Sequence, residues 1–173
     1  MRFLAAFGAA LLLVSPPAGA QGFEFEATAP DFRVTIPGVP PIKMGPHPMQ
    51  GTHPHLRYMG AEGAYTISIV TPSAERGMTA LQCAGATVRS LASRPNVPPS
   101  DELYKARLDD TTFIAIYAAQ MPGFLQLHAH LLSAAAGTHC IEVHVSRIAT
   151  SMEDVAPWFS GFGEARIGAR PGR

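Results

Sequence analysis

Charge is what this chain has least of. Asp, Glu, Lys and Arg together make up 15% of its 173 residues, and the formal net charge is zero. Lysine occurs only at Lys43 and Lys105. No basic field exists to condense on phosphate, so nucleic acid is excluded as a natural partner. Cysteine is scarce too. Cys83 and Cys140 stand alone, and the absence of C-x-x-C argues against thioredoxin-type chemistry. Nucleophilic catalysis finds no footing, because no Ser sits in a G-x-S-x-G elbow. Neither a Gly-rich phosphate loop nor an H-E-x-x-H helix is present. Acidic residues such as Glu62, Glu75, Asp101, Glu102, Asp109 and Asp110 fall mostly at turns, where solvated carboxylates are the default. A surface so poor in charge must be built from Ala, Ser, Thr, Gly, Pro and His. Either a compositional bias towards small residues and proline accounts for that, or a partner covers part of it.

What is present begins with an address. Arg2 supplies a positive n-region, and Phe3 to Val14 an apolar h-region too short to span a bilayer. Ser15-Pro16-Pro17 breaks the helix, and Ala18-Gly19-Ala20 forms an A-x-A cleavage site ahead of Gln21. Residues 1–20 therefore read as a cleaved signal, 21–167 as one domain, and 168–173 as a flexible tail. No Cys follows the cut to take a lipid, so the mature chain is expected to be soluble, with no stable membrane anchor, in a bacterial periplasm. Two cysteines in an exported chain usually oxidise. A Cys83–Cys140 disulfide would contribute about 4 kcal/mol by restricting the unfolded chain. The alternative is two thiols open to a soft metal or redox partner.

Periodicity supplies the elements. Asp31 to Ile36 alternates apolar and polar residues and stops at Pro37-Gly38, a strand and a turn. Phe23 to Pro30 reads as a short lead, and Val39 to Pro54 holds too many prolines for an uninterrupted strand. His55 to Met59 and Ala64 to Thr71 form a hairpin about residues 60–63. Thr79-x-x-Gln82 is a capping box for a helix through Ala92, with Leu81, Ala84, Val88 and Leu91 on one stripe. Strands are expected over 102–108, 112–120, 124–133 and 138–148, with turns at Asp109-Asp110 and Met121-Pro122-Gly123. Thr150-x-x-Glu153 then caps a last helix carrying Val155, Trp158, Phe159 and Phe162, with Trp158 as a core residue. Hairpin-built strands with two helices predict an α+β fold, an antiparallel sheet with helices packed on its faces.

That order resembles PsbP-like proteins. The opening strand Phe32-Arg33-Val34-Thr35-Ile36-Pro37-Gly38 carries the likeness, with the hairpin ending Tyr65-Thr66-Ile67-Ser68-Ile69. The middle helix, the meander and the final helix with Trp158 and Phe159 complete it. The resemblance implies an α/β/α sandwich and a small exported accessory or binding protein, without a shared catalytic set. The Pro/His/Met-rich segment departs from the family's pattern.

All seven histidines lie in two stretches. The first runs from Met44 to Met59 and includes His47, Met49, His53 and His55. Imidazole with thioether suits copper: Met sulfur selects Cu(I), and His accepts either oxidation state. Prolines hold such a loop open for ligation. The plainer reading is a proline-rich surface loop. The second stretch lies on two strands. If even numbers share a face, His128 and His130 meet Glu142 and His144 across an antiparallel pair. With Ala134 opposite Thr138, His130 faces Glu142 and His128 faces His144. Cross-strand Cβ atoms lie about 4.5–5.5 Å apart, close enough for three imidazoles and a carboxylate to converge. A one-residue slip would split them. Leu125, Leu127, Leu131, Ile141, Val143 and Val145 take the opposite face, the core side. A disulfide to Cys140 would lay the middle helix over the histidines. They could then be a half-buried polar face, a zinc or copper site, or a pH-sensitive surface.

The functional expectation is a non-catalytic periplasmic binding or accessory protein serving an unidentified protein or small ligand, with copper at the His/Met-rich segment. The alternative is a small metal-dependent enzyme using the His128, His130, Glu142 and His144 face.

Overall fold

The computed structural model describes residues 22–74, 77–135 and 138–170. The expected signal at 1–20, and the end of the expected tail at 171–173, lie outside the described residues. Among the described residues, ten strands form two antiparallel sheets. The smaller contains β1 (Phe23–Thr28), β2 (Asp31–Ile36) and β10 (Arg166–Gly168), with β2 central. The larger runs β3 (Gly45–Pro46), β4 (Leu56–Glu62), β5 (Tyr65–Val70), β9 (His139–Ala149), β8 (Phe124–Ala135), β7 (Phe113–Met121) and β6 (Tyr104–Arg107). Helix α1 spans Ala80–Ala92, and α2 is a short Val155–Ser160.

The expected α/β/α sandwich is overturned. Strand accounts for 47% of the structure and helix for 15%. The second layer is a sheet, because the segment read as a lead is an edge strand. Phe23-Glu24-Phe25-Glu26 alternates like β2 and pairs with it in register from Phe23 opposite Ile36 to Thr28 opposite Asp31. Gly168, read as the start of a flexible tail, belongs to β10 and pairs with Arg33. The C-terminal helix shrinks to under two turns. The Thr150 capping box does not form; a 3-10 turn at Met152–Asp154 precedes α2, and Asp154 caps it without a side-chain bond. Pro157, which has no N–H to give, stands in that first turn.

The core lies between the sheets. Leu127, Leu131, Val143 and Val145 are fully buried and cluster with Phe23, Phe32 and Val34 of the smaller sheet. Trp158 and Phe162 close one end of the same cluster, their rings 4.8 Å apart and edge-on. Burial alternates along β2 but is nearly continuous through the middle of β8 and β9. That pattern marks strands covered on both faces. The second cover is α1, which lies on β7, β8 and β9.

Local chemistry fixes α1 where it is. Thr79 Oγ1 accepts from the Gln82 backbone N–H, and Gln82 Oε1 accepts from the Thr79 N–H, so the capping box is complete. Cys83, on the first turn, is bonded to Cys140 near the start of β9, with Cα atoms 5.4 Å apart. Gly123 adopts φ of +86°, the left-handed value a Pro-Gly turn needs at its second residue, and this sets the β7–β8 hairpin. Gly63, with φ of +56°, does the same for β4–β5.

Candidate metal centre on the outer face of the large sheet

The β8–β9 register is displaced by two residues from the expected one. Ala134 faces Cys140, His130 faces His144, and His128 faces Ser146. A shift of two preserves the face, so His128, His130, Glu142 and His144 still project together beneath α1. Diagonal contacts replace the expected direct ones. His128 Nδ1 lies 2.9 Å from His144 Nε2, and His130 Nδ1 lies 2.8 Å from Glu142 Oε1. The rings stack. His130 and His144 have centroids 4.3 Å apart and planes 6° apart, and Tyr117 of β7 stacks on His128 at 4.6 Å.

Burial sets the chemistry. His130 is 1% exposed and Glu142 8%, whereas His128 and His144 are half-buried. A carboxylate at Glu142 can only accept, so His130 donates from Nδ1, and in the neutral ring its Nε2 carries a bare lone pair. That Nε2 is buried and has no hydrogen-bond partner. Burial, reinforced by the neighbouring His130, pushes His128 down to about 4. Burial also holds His144 well below the usual imidazole range, with His130, His128 and Arg94 acting in the same direction. Burial raises the Tyr117 phenol, Arg94 opposes that, and Glu142 adds to it. These two histidines are therefore neutral at pH 7, the form that ligates metals.

Among the described residues, His128, His130 and His144 form the one group of three His, Cys, Asp or Glu with converging ligand atoms, all within 4.8 Å of one another. A four-coordinate ion with bonds of 2.0–2.1 Å holds its nitrogens about 3.4 Å apart. Imidazole ligates in its own plane, so loading requires the stacked rings to tilt and the His128–His144 hydrogen bond to yield. Glu142 would keep its place, orienting His130 through Nδ1 as carboxylates orient metal-bound histidines.

The His/Met-rich segment is dispersed by comparison. Met59 is drawn into β4 opposite Ser68, and Met44 packs against the core. His47 Nδ1 accepts from the Met49 backbone N–H, and His53 Nδ1 lies 2.9 Å from Thr52 Oγ1. His53 and His55 approach edge-on at 5.9 Å, both exposed, and Met49 is 50% exposed. Of these side chains, His47, Met49, His53 and His55 lie on the loop and Met59 on β4.

Two contributors escaped the sequence reading. Tyr117 could have been placed by carrying the even-face parity of β8 across to β7, where it faces His128. Arg94 lies just beyond α1, and nothing in its sequence setting ties it to His144. Between α1 and the β5–β9 pair runs a groove of about 940 Å³ whose lining includes Glu142 and His144. No protein-family model matches the chain, and no curated protein matches it in sequence. No helix among the described residues is long and apolar enough to cross a membrane.

Proposed function

We propose that the mature chain is an exported accessory protein that holds one transition-metal ion at His128, His130 and His144, with copper in its oxidised state as the cargo. The observation that carries this reading is the buried, unpartnered Nε2 of His130, set by Glu142 beside two further imidazoles that burial keeps neutral. A buried acceptor left without a partner costs about 1–3 kcal/mol. A metal ion would remove that cost and would use all three rings. The donor set is nitrogen only, which suits Cu(II) or Zn(II) and lacks the thioether that selects Cu(I). The copper assignment thus moves from the His/Met-rich loop to the sheet face. Burial of His130 favours an ion that is held, with only the His144 edge open to the groove.

Paramagnetic resonance of the Cu(II)-loaded chain tests this. One ion per chain with hyperfine coupling to three imidazole nitrogens is expected, and His144→Asn should lose at least tenfold in affinity. Fewer coupled nitrogens, or an affinity unchanged in His144→Asn, would overturn it.

A further inference from the structure

The groove beside the histidines is lined by apolar residues from the N-terminal side of α1 and by two arginines from its C-terminal side. The Cys83–Cys140 bond pins the first turn of α1 over one end of β9, where the Cys140 N–H donates to Pro72 O and Val70 faces Glu142. Met78, just before α1, and Leu81, in its first turn, line the groove, and Leu81 is 64% exposed although large and apolar. Two residues further along β9, His144 faces Ser68, and here the field of Arg94 is felt. Arg89 and Arg94 also line the groove, Arg89 with its guanidinium turned back towards Gly85. Neither has an ion-pair partner among the described residues. Arg89, in the last turn of α1, complements the helix dipole, but Arg94 lies past the helix end, where that effect has faded. Among the described residues the wall contains one carboxylate, Glu142, and His130 already engages it.

We propose that this groove binds a small amphipathic organic anion. Its carboxylate lies between Arg89 and Arg94, and its apolar body runs over Leu81 and Val70 towards Met78. The volume, about 940 Å³, is at the roomy end of small-molecule sites, which span roughly 300–1,000 Å³. A planar guanidinium pairs with carboxylate in a two-bonded fork, so two of them select an anion over an alcohol of the same length. An amine would meet two like charges and be rejected. The inference goes beyond metal binding and needs no ion, because every group it uses lies in the groove wall.

Calorimetric titration of the metal-free, chelator-dialysed chain with octanoate, octanol and octylamine provides the test. One octanoate per chain should bind, at least tenfold more tightly than octanol, with octylamine not binding. R89Q/R94Q changes two exposed side chains and should weaken octanoate at least tenfold, while Leu81→Ser should weaken octanoate and octanol alike. Octanoate affinity unchanged in R89Q/R94Q, equal binding of octylamine, or no octanoate binding would overturn the proposal. None of those results touches the copper reading, which is measured on other residues with another probe.

Discussion

Two stretches of this chain hold all its histidines, and the fold treats them in opposite ways. Between Met44 and Met59 the histidine hydrogen bonds stay within their own loop: His47 to Met49, His53 to Thr52. On β8 and β9 three of the four answer to partners far apart in sequence, His128 to His144 and His130 to Glu142, while His139 at the start of β9 meets its neighbour Thr138. Proline explains the first case, since a backbone that cannot pair leaves each ring to local solvent and neighbours. Strand pairing explains the second, since a period of two puts alternate residues on one face and a neighbouring strand doubles the density. Ligand-type residues concentrated in sequence are therefore a weaker sign of a centre than the same residues spread over two paired strands.

Breaking the disulfide should separate the regions most sharply. The bond closes 57 residues and fastens α1 over the strand face, whereas no covalent tie reaches the loop. Replacing Cys83 and Cys140 by Ala should cost about 4 kcal/mol in denaturant unfolding. Metal affinity at the strand face should fall with it. Unchanged stability would mean that α1 is held by packing alone.

Next in size is His130→Ala, which strands a buried carboxylate. Loss of a hydrogen bond to a charged group costs about 1.5–3 kcal/mol, read by the same unfolding experiment. His47→Ala or His53→Ala, in the loop, should stay within about 0.5 kcal/mol. Equal costs at the two places would erase the contrast.

Acid should sharpen it further. Unfolded chains protonate imidazole near 6.5, but folded His128 resists until about 4, and folded His144 is likewise depressed. Between those values the unfolded state holds more protons, so stability is full above about pH 6.5 and declines as pH falls towards 4. Thermal melts of the metal-free chain should show this slope, and His128→Asn/His144→Asn should flatten it. A midpoint independent of pH across that window would contradict the burial ascribed to these rings.

Much of this is legible in the sequence. Alternation alone placed β2, the β4–β5 hairpin and the face of three histidines and one glutamate. It did so because parity survives a two-residue slip. The register itself was not legible: β8 runs on through Ala135, past the expected end at Ser133, and pairs there with His139. The smaller sheet was hidden for different reasons. Phe23-Glu24-Phe25-Glu26 carries the strand pattern, but its value depends on a partner that sequence does not name. Arg166-Ile167-Gly168 has one apolar residue and no periodicity to read, and its strand exists only because β2 offers an open edge. Missing one strand at each end turned a two-sheet fold into an expected helical sandwich.

The central claim is that the strand face, and not the loop, holds the metal. Competition titration of Cu(II) against a chelator of known affinity tests it, using the full mature chain and two multiple variants. One replaces His128 and His144 by Asn; the other replaces His47, Met49, His53 and His55 by Ala. The account predicts one tight ion in the parent and in the loop variant, and at least a tenfold loss in the strand variant. Full affinity in the strand variant with loss in the loop variant would contradict it.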